Sequence, residues 1–303
     1  MGQEEYSLRM RPMALHERGL VKPTVSLRAL LEGVSQLPAL RSEFGLADYF
    51  AAITASGFPA VQQTVPRLQR AQLDSYLERI IDHDLPNEGF VVRRPETLRR
   101  WMSAYATASS TTTSYSRLLD ATTAGDGSQP AKTTTRNYID HLERLWILDP
   151  VPGWIPSNNP IRRLQQAPKR QLADPALAAR LLGLNASSLA GPSGAHMAGP
   201  LFESLVTLGV RVAAQAAEAR VYHLRTNEGR HEIDLIVEGE DGRVLAIEVK
   251  LSGAVHDQDV RHLLWLREQI PDRVVDLLVV NTGPATYRRS DGVGVVPLAL
   301  LGA

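Results

Sequence analysis

The amino-acid sequence predicts an α/β protein in which a helical N-terminal part precedes an α/β/α domain with a central mixed sheet. Apolar residues recur at helical spacing up to about residue 155. From residue 199 onward, an apolar helix is followed by four short strand-like segments, with a further helix between the last two. Between these parts, residues 156–198 are rich in Pro, Gly and Ser, a composition typical of linkers.

Length and composition indicate how the chain divides into segments, in which compartment it acts and which partners it binds. A chain of 303 residues exceeds one compact core, and we expect four segments, at residues 1–65, 66–155, 156–198 and 199–303. The absence of Cys excludes disulfides and thiolate metal sites and fits the cytoplasm. No apolar run of the roughly 18 residues that a membrane span needs is expected, so we predict a cytoplasmic protein without a membrane partner. The 33 basic and 33 acidic residues cancel, so nucleic acid would need a local basic patch.

The first segment predicts a strand and two helices, interpreted below as a remnant of a larger domain. Residues 6–10 favour a short strand, and the leucines after Ser26 indicate an amphipathic helix. A second helix is predicted at residues 46–55. We expect it to end in the turn at residues 56–59, where Gly57 would take the left-handed conformation and the following proline would prevent continuation.

The second segment predicts helices followed by a strand. A long helix with one apolar stripe is expected at residues 61–84, and shorter helices follow at residues 97–109, 114–121 and 133–146. The last of these leads into the strand-like segment ILDPVPGW. Three helices and a strand in this order predict a winged helix-turn-helix.

In a winged helix-turn-helix, the third helix enters the major groove of DNA with its N-terminal residues against the bases. The exposed residues at this end have side chains suited to phosphate and base contacts: Lys132, Thr133, Thr134, Arg136 and Asn137. The alternative is a three-helix module that only connects proteins. DNA is therefore an expected partner, and a protein-binding role for this module stays open.

The third and fourth segments predict the sheet and the helices that flank it. After the linker, a helix is expected at residues 200–217 and another at residues 258–269. Strands are expected at the following positions: residues 220–225, 232–238, 244–250 and 276–281. The Asp241-Gly242 pair between the second and third strands predicts a tight hairpin, which would place those strands side by side.

The hairpin predicts a cluster of charged side chains. Glu248 and Lys250 are two residues apart on one strand and therefore share a face, and Asp234 lies on the neighbouring strand. Glu203 adds a carboxylate on the otherwise apolar helix before the sheet, where an unpaired charge would be costly. An ordinary surface ion pair is the alternative interpretation of an acid and a lysine at this spacing.

Phosphodiester hydrolysis would explain these residue types. A divalent cation polarises the phosphoryl group and lowers the pKa of a bound water, and hard oxygen ligands hold Mg²⁺ best. Asp234, Glu248, Glu203 and the carbonyl of Val249 are the predicted ligands of Mg²⁺ or Mn²⁺. Lys250 would orient or deprotonate the attacking water, or stabilise the charge of the transition state. Asp234, Glu248, Lys250 and Glu203 are thus the candidate catalytic residues.

The sequence also resembles a known family. The runs that carry the resemblance are LRMRPMALHERG, SGFPA, YLERIIDHDL, TTTRNYIDHLERLWILDPVPGW, FESLV, YHLRTNEGRHEIDLIVEGEDGRVLAIEVKLSG and LLVVNTG. They look like the C-terminal portion of bacterial and archaeal AAA-type ATPases that carry a DUF4143 domain. The last domain of such proteins is similar to the PD-(D/E)XK nucleases, which implies a restriction-endonuclease-like fold. Asp234, Glu248 and Lys250 match the nuclease motif, and Glu203 matches its helix acid.

The chain departs from this family at its N-terminal side. It contains no GxxxxGK[ST] sequence, so no ATP binding is expected for this chain. The resemblance therefore implies a start inside the ATPase domain, at its last strand, with residues 1–65 as the remnant. The family turn GGFPE is SGFPA here, so Ala60 stands where a carboxylate is usual.

Two functions remain open from the sequence. The first is a DNA-binding protein whose last domain is a Mg²⁺-dependent endonuclease. The second is a non-catalytic DNA- or protein-binding remnant of an AAA-type ATPase, in which ATP would act only if a P-loop domain were supplied. Either form is compatible with a homo-oligomer or with an ATPase partner.

Overall fold

The structure is a computed structural model that describes residues 9–34, 36–122, 131–155, 166–226 and 229–303. The predicted strand at residues 6–10 lies largely outside these residues. Within them, the chain is mixed α/β, with helices in the N-terminal part and a mixed sheet in the C-terminal part, as predicted.

The N-terminal part contains the helices that the sequence predicts. The helix expected at residues 46–55 is found there, and the long helix expected at residues 61–84 is broken into shorter pieces. Their bounds are α1 Leu27–Leu31, α2 Leu46–Ala55, α3 Pro59–Gln62, α4 Pro66–Arg79 with a π-helical turn Ile80–Asp84, α5 Leu85–Asn87, α6 Pro95–Thr107, α7 Tyr115–Thr122 and α8 Lys132–Arg144.

The turn after α2 differs from the prediction in one respect. Ser56, not Gly57, has the positive φ, at 67°. Gly57 is required for a different reason, since a Cβ there would lie 2.6 Å from the carbonyl oxygen of Met13 and 2.8 Å from its nitrogen. Asp174 holds the turn by accepting hydrogen bonds from Ser56 Oγ at 2.8 Å and Gly57 N at 2.6 Å.

Residues 166–198, which the composition predicts as part of a linker, are packed into the fold instead. They contain α9 Pro175–Leu181, α10 Ala186–Ala190 and the start of α11 Ala195–Ala216. Pro175 starts α9, where the missing N–H costs nothing, and Asp174 caps that helix through Ala176 N at 2.8 Å. The proline that suggested a linker is therefore a helix start signal.

A six-stranded mixed sheet organises the C-terminal part, in the order β2-β3-β4-β5-β7-β6. Strands β2, β3 and β4 are antiparallel, β4, β5 and β7 are parallel, and β6 is antiparallel to β7. The predicted bounds of β2, β3 and β4 are confirmed, and β5 starts two residues earlier than predicted. The sheet consists of β2 Arg220–Arg225, β3 Glu232–Glu238, β4 Val244–Lys250, β5 Val274–Asn281, β6 Tyr287–Arg288 and β7 Gly294–Pro297.

Helices cover both faces of the sheet. One face, with Leu235, Leu245 and Ile247, joins the core formed by α11 and the N-terminal helices. The other face, with Ile236 and Ala246, packs on α12, which spans Asp257–Gln269. Helix α11 is long and apolar enough to cross a membrane, which the sequence analysis did not expect, but 72% of its apolar window is buried inside the protein. It serves here as a core helix.

The N-terminal stretch completes the C-terminal core. Strand β1, Val25–Ser26, pairs in parallel with β8, Leu301–Gly302. Helix α1 follows directly, contacts α11, β4 and β5, and is buried through Leu27, Leu30 and Leu31.

A candidate site where strands β3 and β4 diverge

The β3–β4 hairpin has the predicted tight turn. Gly239 N donates to Arg243 O at 2.9 Å, and Gly242 takes a φ of +78°. From this turn the antiparallel ladder runs as far as the pair Leu235 and Ile247. At the next position Val249 N donates instead to the side chain of Asp234, at 2.8 Å from Oδ2. The two strands therefore separate at a carboxylate that replaces a backbone partner.

This divergence gathers the side chains that the sequence singles out. Because alternate residues of a strand face opposite ways, Glu248 and Lys250 lie on the face that packs against α12. Asp234 lies at the divergence itself, where the β2–β3 register shifts. Lys250 Nζ lies 3.0 Å from Glu248 Oε1 and 3.8 Å from an oxygen of Asp259 on α12.

Glu248 is the most confined of the three. The residue is 8% exposed, and its Oε2 atom is buried with no hydrogen-bond partner among the described residues. A buried carboxylate oxygen without a partner carries a cost of several kcal/mol unless another group binds it. Glu248 is therefore the position where a further ligand is most needed.

Glu203 on α11 is held by Lys169, a residue that no local sequence pattern singles out. Lys169 Nζ lies 2.7 Å from Glu203 Oε1 and 2.9 Å from Asp234 Oδ1, so its ammonium bridges the two carboxylates. Lys169 is only 1% exposed. Lys169 lies in the segment predicted as a linker, 34 residues from Glu203 and 65 from Asp234, so no local pattern marks it.

Burial raises the pKa of both glutamates. The pKa of Glu248 is raised to about 8 by burial and then by the charge of Asp234, against the opposing effect of Lys250. The pKa of Glu203 is raised to about 8 by the same two causes, although Lys169 opposes the rise. Both side chains therefore hold a proton near neutral pH, and a cation that binds them must release it.

Asp234 and the lysines carry the charge of the site. Burial favours a higher pKa for Asp234, but Lys169 and the hydrogen bonds from Lys169 and Val249 outweigh it and hold the pKa below its usual range. Burial opposes the charge of Lys169 as well, yet Asp234 and Glu203 raise its pKa above the ordinary value. Glu248 raises the pKa of Lys250 against the effect of burial. Both lysines are cations at neutral pH.

Some of the oxygen atoms at this site could bind a metal ion. Among the residues that the structure describes, no group of three or more His, Asp or Glu side chains is placed to hold a metal ion. Lys169 contacts one oxygen each of Glu203 and Asp234, and Val249 N donates to the other oxygen of Asp234, so a metal ion would share both carboxylates with these donors. Asp234, the unpartnered oxygen of Glu248 and the Val249 carbonyl remain, which suits Mg²⁺ because it takes one or two carboxylates and keeps several waters.

The residues predicted to read DNA lie apart from this site, on α8. Thr133, Arg136 and Asn137 are exposed and Thr134 is half-buried, whereas the side chain of Lys132 lies outside the described part of the chain. Thr134 and Asn137 line a cleft of about 570 Å³ opposite the segment that ends in α6. After α8 the chain forms antiparallel bridges between Leu148 and Leu172 and between Val151 and Lys169.

Comparison with known families identifies two parts of the chain. Residues 198–301 match the domain of unknown function DUF4143, so this domain is present, as the resemblance implies. Residues 46–188 match a second domain of unknown function, DUF8612. No curated protein and no solved structure matches the chain. The candidate site thus combines Glu203, Asp234, Glu248 and Lys250 of the DUF4143 domain with Lys169 of the preceding one.

Proposed function

We propose that the DUF4143 domain is a metal-dependent phosphodiesterase of the PD-(D/E)XK type that acts on DNA. The observation that carries the proposal is the buried carboxylate of Glu248, which has an unpartnered oxygen and lies beside Asp234 and Lys250. Burial and the neighbouring Asp234 both disfavour its charge. A divalent cation shared by the two carboxylates would offset both effects.

Each residue of the site has a different role in the proposed reaction. Asp234, Glu248 and the Val249 carbonyl would hold Mg²⁺ or Mn²⁺, which supplies Lewis acidity and a water of lowered pKa. Lys250 is protonated, since its pKa is raised. That favours hydrogen-bond donation to the phosphoryl oxygens over proton abstraction from water. Lys169 fixes the carboxylate of Asp234 through Oδ1 while Val249 N fixes it through Oδ2.

The N-terminal part would present the DNA. The exposed N-terminal end of α8 and the antiparallel bridges that follow support a winged helix-turn-helix role for residues 95–155. Thr133, Arg136 and Asn137 on this helix are exposed and would be free to contact DNA. In this proposal the protein acts in the cytoplasm and needs no ATP.

The test is cleavage of supercoiled, single-stranded and branched DNA by the full chain with Mg²⁺, with Mn²⁺ and with EDTA. Asp234→Asn should lower cleavage by at least about 100-fold. The matched control is Asp272→Asn, an exposed aspartate before β5, at the opposite end of the sheet, and it should leave cleavage unchanged. Metal-dependent cleavage that survives Asp234→Asn would exclude this site.

One observation favours a second function. Lys169 neutralises Asp234 and hydrogen-bonds Glu203 without any metal, which suits a nuclease-like domain retained for binding DNA or protein in a descendant of an AAA-type ATPase. Such a module would bind DNA equally with Mg²⁺ and with EDTA and would cleave none. Its ATPase partner, or a second copy of the chain, would then be sought by co-purification.

A further inference from the structure

A polar cleft lies beside the candidate site, between the loop that joins α6 to α7 and the edge strand β2. Its volume is about 690 Å³. One wall is the run Thr111-Thr112-Thr113-Ser114 with Arg117 on α7, and the other wall includes Arg225 and Thr226 at the end of β2. The N-terminal helices and the DUF4143 domain therefore both contribute to it.

The chemistry of the walls suits an anion. The described lining residues include two guanidinium groups and five hydroxyl groups, but no carboxylate. Since the whole chain has no net charge, this is a local basic patch of the kind that nucleic-acid binding would require here. Arg225 already donates to Thr112 Oγ1 across the cleft, which orients its guanidinium group along the walls.

The floor of the cleft connects it to the candidate site. His223 is 1% exposed, and its Nε2 lies 3.1 Å from the carbonyl of Ala167, whereas Nδ1 has no partner among the described residues. Ala167 is two residues before Lys169, which contacts Asp234. One short segment, residues 167–169, therefore contacts both the cleft and the carboxylate of Asp234.

The patch extends in the other direction over the helices. A neighbouring cleft of about 600 Å³ shares Thr111, Thr113 and Arg117 with the first and adds Arg99 and Arg100 of α6. The two clefts form a continuous band of hydroxyl and guanidinium groups. We call it the basic band, and it consists of Arg99, Arg100, Thr111, Thr112, Thr113, Ser114, Arg117 and Arg225.

We propose that the basic band binds the sugar-phosphate backbone of DNA and leads a strand to Asp234 and Glu248. The inference rests on the proposed function for its substrate, and it adds a contact surface distinct from α8. Serine and threonine hydroxyls and arginine side chains are the groups that most often position a phosphate backbone without reading its sequence. Binding through the band is therefore expected to be insensitive to base sequence and strongly dependent on salt.

The experiment measures DNA binding by the full chain in EDTA, so that no cleavage is involved. Fluorescence anisotropy is recorded with labelled single-stranded and duplex oligonucleotides at several salt concentrations. The variants are Arg117→Gln and Arg225→Gln in the band, Arg136→Gln on α8, and Arg67→Gln as a matched control. Arg67 is exposed on α4 and lines neither cleft of the band. Thermal unfolding of each variant checks that the fold is retained.

We expect each band variant to weaken binding about tenfold and to reduce the slope of log K against log salt by about 0.9 for duplex and about 0.7 for single-stranded DNA. Arg67→Gln should bind as the parent protein does. Parent-like binding by both band variants would overturn the proposal, as would a loss confined to Arg136→Gln or no DNA binding by the parent. Weakened binding in a protein that never cleaves DNA would support the band and refute the nuclease.

Discussion

Replacement of Lys169 by methionine tests the electrostatic description of the site. Methionine keeps the apolar stem but removes the ammonium that lies 2.7 Å from Glu203 and 2.9 Å from Asp234. Because all three side chains are mostly buried, the charged carboxylate of Asp234 would be left beside Glu203 without the ammonium that pairs with it. Removal of one partner from a buried ion pair costs about 3–5 kcal/mol. For a chain of 303 residues, we expect the melting temperature to fall by roughly 5–8 °C.

The deficit should depend on pH with a definite sign. The folded-state pKa of Glu203 is raised, so its protonation stabilises the folded state below the unfolded pKa, and this stability is lost as pH rises through about 8. Without Lys169 that pKa rises further, because Lys169 acts to lower it. The variant should therefore lose more stability than the parent between pH 8 and pH 9.

Thermal and urea unfolding at pH 6, 7.5 and 9 provide the measurement. Lys250→Met is the comparison, since the Lys250 side chain is 30% exposed and that of Lys169 only 1%, so loss of the Lys250 ammonium should cost less. Mn²⁺ at about 100 times its dissociation constant should return about 2.7 kcal/mol to the Lys169→Met variant, because Glu203 becomes available as a ligand. A Lys169→Met protein as stable as the parent at all three pH values would refute the reasoning.

Two further predictions concern Glu248 and Gly57. Glu248→Gln removes a carboxylate whose folded-state pKa is raised to about 8, so the variant should gain stability relative to the parent as pH rises from 6 to 9, by at most about 3 kcal/mol. It should also abolish cleavage, and equal pH profiles in thermal unfolding would contradict the stability prediction. Gly57→Ala should destabilise by about 1–3 kcal/mol, since its Cβ would lie 2.6 Å from Met13 O. Gly209→Ala in α11, whose Cβ would meet Leu298 at an ordinary contact distance of 3.6 Å, should instead stabilise by about 0.5–1 kcal/mol. Urea unfolding of both glycine variants measures these changes in the free energy of unfolding. A Gly57→Ala protein as stable as the parent would show that the close contact with Met13 does not require glycine.

Local sequence signals predict the sheet well and the site only in part. The alternation in HEIDLIVE and VLAIEVKL and the Asp241-Gly242 turn give β3, β4 and their hairpin, because each signal acts between near neighbours. Lys169 could not be predicted in the same way, since its partners Glu203 and Asp234 are 34 and 65 residues away. No periodicity reports a contact over that distance.

Gly57 and the predicted linker also depend on contacts between residues that are distant in the sequence. The sequence identifies Gly57 as a turn residue, yet what requires glycine is the backbone of Met13, 44 positions earlier, and that contact exists only in the folded chain. Residues 166–198 have the composition of a linker, but burial of Lys169 and Arg170 shows that tertiary packing decides their structure. The composition of a segment therefore does not reveal whether it is buried in the fold.

The parallel pairing of β1 with β8 affects how the DUF4143 domain can be studied in isolation. A fragment limited to the matched residues 198–301 would lack β1 and α1, and with them the apolar cover that Leu27, Leu30 and Leu31 give to β4 and β5. Such a fragment would expose apolar surface and an unpaired strand edge, and both promote self-association. Its aggregation would say nothing about the chemistry of Asp234. The smallest unit worth purifying therefore begins upstream of Val25.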